Sequence, residues 1–123
     1  MFRQIILVGL GGGLGSIARY LVSVLTLRYN YDLFPVATFI VNVTGSFLIG
    51  VLVGFLSQTI SLHQDVRLLL VTGFCGGYTT FSTFSSESLG LLQSQHYFTA
   101  ALYIAGSVLL GLAAVWLGFS LTK

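Results

Sequence analysis

Charge is scarce in this chain. Its 123 residues include five Lys or Arg and three Asp or Glu, so that 7% are charged while 55% are hydrophobic. A soluble domain carries about 25% charged residues, and this composition cannot cover a water-facing surface. An integral membrane protein is expected, in keeping with a mean hydropathy of +0.96. Cysteine occurs once, at Cys75, which excludes a disulfide framework within the chain. Histidine, with two residues, and carboxylate, with three, are also sparse. There is no Ser/His/Asp or Cys/His set, no carboxylate pair and no cluster of metal-binding side chains, so enzyme chemistry is not expected. His63 stands alone in a loop, and Asp32 and Asp65 also belong to loops. The formal net charge of +2 is small and scattered, which argues against a nucleic-acid partner.

What the chain has in abundance is apolar sequence at membrane length. A spanning helix needs roughly 20 apolar residues, so the length accommodates four spans in a single transmembrane domain over residues 1–123. The expected spans run from about Ile5 to Leu27, Leu33 to Leu56, Val66 to Leu92 and Tyr97 to Leu121. The first is too long for the core of a secretory signal, and no polar domain follows it. The connections are Arg28–Asp32, Ser57–Asp65 and a tight turn at Gln93–His96. The single proline, Pro35, falls in the first turn of span two, where a missing N–H costs least.

Glycine is plentiful, with 15 residues. In span one, Gly9/Gly13 and Gly11/Gly15 are both small-xxx-small pairs that permit close helix approach. Gly13-Leu-Gly-Ser-Ile-Ala18 also matches a dinucleotide-loop pattern, but that reading needs a preceding strand, which a membrane helix does not supply. Gly45, Gly50 and Gly54 add close-packing positions on span two.

Polar residues at membrane depth carry the functional signal. Arg19 lies about 12 Å of helix from Leu27; it either snorkels to the interface or is a buried charge in need of a partner. Asn42 sits near the bilayer midplane, where its amide must find partners. In span three, Gly73-Phe-Cys-Gly-Gly-Tyr-Thr-Thr-Phe-Ser-Thr-Phe-Ser85 combines glycines with hydroxyls. Seven Ser or Thr lie between Thr79 and Ser88. Hydroxyls of this kind often bond backward to helix carbonyls, but backbone bonding does not require so many. A helix break near Gly76-Gly77 would free carbonyl oxygens, the ligand type that unwound transporter helices offer to Na⁺. Phe81 and Phe84 share a helix face, as do Tyr103 and Ser107 in span four. Ring edges are electropositive. Together with neutral amide and hydroxyl protons they suit a small anion without trapping it. For any single Phe or Ser among them simple packing is the stronger reading, and only their density weakens it.

Four spans place both termini on one side. Arg3, Arg67 and Lys123 fall there, against Arg28 alone or Arg28 and Arg19 on the other, three against one or two. So slight a bias permits insertion in both directions.

These residues resemble the Fluc-type fluoride channels of the CrcB family over nearly the whole chain. Gly12-Gly-Leu-Gly-Ser-Ile-Ala-Arg-Tyr20 is similar to the family's first-helix glycine–arginine motif. Val41-Asn-Val-Thr-Gly-Ser-Phe47 is similar to its second-helix asparagine motif, and Gly73–Ser85 to its third-helix signature. The resemblance implies an all-α antiparallel dual-topology homodimer in the bacterial inner membrane, with two pores exporting fluoride down its electrochemical gradient. It implies that Phe81 and Phe84 offer ring edges and Asn42 an amide proton to the ion. Ser82, Thr83 and Ser85 would form a hydroxyl track, and Tyr103 and Ser107 would line the pore from span four. It further implies a structural Na⁺ at the dimer centre, held by main-chain carbonyls of Gly76 and Thr79. Glu87 matches an acidic residue near a pore mouth. The chain departs from the family pattern at Ala37-Thr-Phe39 before the asparagine, and at Gly111 and Val115, which carry no hydroxyl beyond Ser107. A small multidrug transporter shares the architecture but depends on a first-helix glutamate, and span one here has no carboxylate. An assembly factor, in which glycines and hydroxyls serve only packing, is the remaining rival.

Overall fold

A computed structural model describes residues 1–27, 33–58 and 63–123. The expected loop Arg28–Asp32 and residues 59–62 of the second loop lie outside the described residues. Among the described residues the chain is helical throughout: α1 (Phe2–Leu27), α2 (Val36–Leu56), α3 (His63–Val66), a π-helix (Arg67–Cys75), α4 (Gly76–Tyr78), α5 (Phe81–Gln93) and α6 (Tyr97–Thr122). Three of these, α1, α2 and α6, are long and apolar enough to cross a membrane. The third expected span is assembled instead from α3, the π-helix, α4 and α5, with Thr79 and Thr80 outside any helix.

Glycine sets how closely the helices approach, because only a missing side chain lets one backbone lie against another. Gly11 and Gly15 of α1 face the π-helix. A Cβ on Gly11 would stand 2.9 Å from Phe74 N, with Leu69 O nearer still; one on Gly15 would stand 2.8 Å from Tyr78 N, with Phe74 O nearer still. Gly77 likewise meets the Gly12 backbone. Gly9 and Gly13 have nothing within 4 Å. Of the two pairs the spacing offered, one alone makes this interface. On the other side of the chain, Gly50 and Gly54 of α2 meet the backbone of α6 at Val115 and Phe119, and Gly118 of α6 meets Phe47.

Pro35 precedes α2, and its carbonyl accepts the Phe39 N–H at 3.1 Å. The α5–α6 turn holds Gln95 at φ 64, and the His96 N–H donates to Leu91 O at 2.9 Å. At the far end, Gln58 Nε2 donates to Thr122 O at 2.7 Å and Thr122 Oγ1 donates to Val51 O at 2.9 Å, tying α2 to α6. Arg3 pairs with Asp65, joining α1 to α3.

Candidate functional site

The interruption expected near Gly76-Gly77 falls at Thr79 and Thr80. Gly76 is still helical at φ −63, ψ −36. Thr79 is extended at φ −87, ψ 160, and Thr80 at φ −151, ψ 120. Neither position needs glycine, since φ stays negative; extended backbone suits β-branched side chains. Local hydroxyls finish one helix and start the next. Thr79 sends both its N–H (3.0 Å) and its Oγ1 (2.8 Å) to Cys75 O. Thr80 Oγ1 accepts the Thr83 N–H at 3.2 Å, the side-chain cap of an N-terminal helix residue.

Asn42 completes the break from α2. Its Nδ2 donates to Thr80 O at 3.0 Å, and its Oδ1 accepts the Thr80 N–H at 2.8 Å. The carboxamide thus pairs with the Thr80 peptide groups as a neighbouring strand would. In a bilayer these groups have no water to turn to, and leaving one unpaired costs about 1–3 kcal/mol. The arrangement has a second effect. In a continuous helix the Thr80 N–H would bond to Gly76 O and the Thr83 N–H to Thr79 O, four residues back. Both donors are spent on side-chain oxygens instead. The carbonyls of Gly76 and Thr79 therefore lose their helical partners.

Two clefts flank the break. One, of about 300 Å³, is lined in part by Ser16, Arg19, Ser23, Thr38, Thr80 and Thr83. Arg19 is half-buried there, and among the described residues it has no carboxylate partner. Arg19 thus stands, partly exposed, at the wall of this cavity. The other cleft, of about 240 Å³, contains Asn42, Ser46, Thr79, Thr80 and Phe81. Thr80 is common to both. Its Oγ1 donates to Thr83 Oγ1 at 3.1 Å and lies 3.3 Å from Ser82 Oγ.

A ring cluster continues from the break along α5 and α6. Phe81 and Phe84 have centroids 5.8 Å apart, and Phe84 lies 5.1 Å from Tyr103. Tyr103 presents an edge-on geometry to Phe34 at 5.4 Å, and Phe34 does the same to Phe39 at 5.4 Å. Tyr103 is fully buried, at 0% exposure, and its hydroxyl donates to Glu87 Oε1 at 3.0 Å. One turn further along α6, Ser107 Oγ is shielded and takes no hydrogen bond from the protein.

The structure therefore brings together Asn42, Thr79, Ser82 and Thr83 around the break, and Phe84, Glu87 and Tyr103 beyond it, with Ser107 on the next turn. It separates the two phenylalanines by environment: Phe84 packs against Tyr103, whereas Phe81 is 77% exposed on the single chain. Ser85 and Ser86 also point off the chain. Thr80 and Thr38 escaped the sequence reading as site residues. Thr80 has a legible signal, a threonine three residues before Thr83 where a helix restarts. Thr38 has none; it is a buried residue of the Arg19 cleft.

Comparison with known proteins adds the following. The family described as CrcB-like protein, Camphor Resistance (CrcB), matches residues 6–119. A fluoride-specific ion channel FluC of Azobacteroides pseudotrichonymphae is 46% identical over 123 residues, covering 100% of this chain and 98% of its own length. Its namesake from Nitratidesulfovibrio vulgaris is 50% identical over 116 residues, 94% of each chain. That of Chlorobaculum tepidum is 47% identical over 123 residues, covering 100% of this chain and 97% of its own.

Proposed function

The chain belongs to the CrcB-like family, and we propose that it is a fluoride-selective ion channel that lowers cytoplasmic fluoride by passive export. It is a multi-pass protein of the bacterial plasma membrane and a channel, not an enzyme. The observation that carries this reading is likeness over the full length, at 46–50% identity, to relatives named as fluoride-specific ion channels. The geometry supports a mechanism. The fixed charge of Arg19 in the cleft at the break attracts a small anion from water. Uncharged donors and ring edges then replace its hydration: the second amide proton of Asn42, the hydroxyls of Ser82, Thr83 and Ser85, the rings of Phe81 and Phe84, and the hydroxyls of Tyr103 and Ser107. Apart from Arg19 at the cleft, these groups are uncharged and bind the ion without trapping it, the balance of entry and release that conduction needs. An interior-negative membrane potential drives an anion outward, by about 2.3 kcal/mol per 100 mV.

The protomer pairs with a second copy in antiparallel orientation. What supports this is the outer face of α5, where Phe81, Ser82, Ser85 and Ser86 are exposed. Hydroxyls facing lipid find no partners there, and a second copy supplies them. A structural Na⁺ at the dimer centre is supported by the carbonyls of Gly76 and Thr79. Both have lost their helical donors, and where a Cβ on Gly76 would stand nothing lies within 4 Å. Two copies would offer four such oxygens, hard ligands suited to a hard cation.

Purified protein reconstituted in liposomes tests the function. Fluoride efflux with chloride largely excluded is expected; equal chloride passage, or no flux, would sink the channel reading.

A further inference from the structure

We propose that Asn42 is the positioning residue that creates the central cation site, in addition to any contact it makes with the permeating anion. This rests on the cation reading above. A carboxamide has one acceptor oxygen and two N–H donors. Here the oxygen is committed to the Thr80 N–H at 2.8 Å and one donor to Thr80 O at 3.0 Å, which leaves one N–H for the adjoining cleft. Two of its three hydrogen-bonding functions thus serve the backbone. The bond to Thr80 N–H is the decisive one, because that amide is the natural partner of Gly76 O. A helix that keeps its own amide on that carbonyl offers a cation a weaker ligand. Asn42 removes the competing donor and holds the extended conformation that points the chain away from it.

Thr80 does the same for the second carbonyl. Its Oγ1 takes the Thr83 N–H, which would otherwise reach Thr79 O. The two carbonyls that a cation would share are the two whose amide partners are diverted to side chains. Gly45 fits the same account: a Cβ there would meet Tyr78 Cδ2 at 3.1 Å, with Thr79 Cγ2 nearer still, so α2 must lie close for Asn42 to reach the break.

The proposal separates two roles that a flux measurement alone confounds. Asn42→Leu keeps side-chain size and removes both bonds to Thr80; Asn42→Ser removes them without added apolar bulk and serves if the leucine variant fails to fold. Ser107→Ala is the comparator, a change in the ion path that touches nothing at the break. Two readouts are taken on detergent-purified full-length protein: the Na⁺ concentration that half-maximally stabilises the dimer against heat, and the hydrogen-exchange rate of the Thr80 amide. With each net hydrogen bond worth about a fivefold factor, losing both in one copy is worth about 25-fold, and since both copies carry the change the Na⁺ midpoint should rise by at least about 25-fold. Thr80 exchange should quicken by at least about tenfold, whereas Ser107→Ala should lower flux and move neither. A midpoint and an exchange rate unmoved in both Asn42 variants, with flux reduced, would overturn the proposal and leave Asn42 as an anion donor alone. Wild-type protein indifferent to Na⁺ would remove the cation site itself, and the proposal with it.

Discussion

Gly11→Ala and Gly15→Ala isolate what holds α1 against the third crossing. At Gly15 the new methyl would stand 2.8 Å from Tyr78 N, and at Gly11 2.9 Å from Phe74 N, in each case with a carbonyl oxygen closer. The atoms struck are backbone, so no side chain can rotate away. Relief requires moving α1 outward by on the order of 1 Å, which forfeits part of the dispersion contact along the whole seam. Overpacking typically costs 1–3 kcal/mol, and a backbone-on-backbone clash belongs near the top of that range, about 2–3 kcal/mol for each substitution. Gly9→Ala and Gly13→Ala are the internal controls on the same helix. Neither would meet an atom within 4 Å, and replacing glycine within a helix is worth roughly 0.5–1 kcal/mol in favour of alanine. Reversible unfolding in mixed micelles, read by the denaturant midpoint, should therefore show two variants well below wild type and two at or slightly above it. All four variants falling together would refute the assignment of one glycine face to this interface.

The remaining predictions concern the ring cluster. Phe81→Ile should abolish most fluoride flux while leaving protomer stability within about 0.5 kcal/mol, the usual range for an exposed change, since Phe81 is 77% exposed. Phe84→Ile should also reduce flux but in addition lower stability, because it strips a ring from Tyr103 at 5.1 Å; liposome efflux and thermal melting separate the two, and full flux in Phe81→Ile would end the ring-edge account. Tyr103→Phe keeps the buried ring and deletes the hydroxyl that donates to Glu87. It should cost about 1–2 kcal/mol for the stranded acceptor and slow efflux, and wild-type stability would mean that the bond to Glu87 contributes nothing.

Much of this architecture was legible in hydropathy and spacing, and the parts that were not have identifiable reasons. The spans starting near Ile5, Leu33 and Tyr97 appear as α1, α2 and α6 because 20 or more apolar residues admit little else. The glycine spacing offered Gly9/Gly13 and Gly11/Gly15 on equal terms; which pair is used depends on where the π-helix lies, and that is a tertiary fact. The π-helix at Arg67–Cys75 has no sequence mark that distinguishes it from an α-helix. The break is the sharpest case. Gly76-Gly77 looked like the weak point because glycine destabilises helices, yet both glycines remain helical and the chain opens at two threonines. Asn42 lies 38 residues upstream of Thr80, and no local rule links them. The Tyr103/Ser107 spacing was readable, whereas the bond from Tyr103 to Glu87, across the α5–α6 turn, was not.

The density of hydroxyls in the third crossing can now be resolved residue by residue. Of the seven Ser or Thr between Thr79 and Ser88, the first and last bond backward. Thr79 Oγ1 donates to Cys75 O at 2.8 Å and Ser88 Oγ to Phe84 O at 2.7 Å. Thr44 and Ser46 on α2 do likewise, each to the carbonyl four residues earlier. For these four the simple packing account suffices. The five between Thr79 and Ser88 behave differently. Thr80 and Thr83 bond to each other in the Arg19 cleft, and the exposed Ser82 lies 3.3 Å from Thr80 Oγ1 at its margin. Ser85 and Ser86 turn off the protomer, and neither hydroxyl bonds to a carbonyl behind it. A helix that needed hydroxyls only for its own backbone would use all seven as it uses the outer two. The inner five instead divide between a cleft that holds a cationic side chain and a face that one protomer leaves open. That division supports the permeation path and the second copy proposed above.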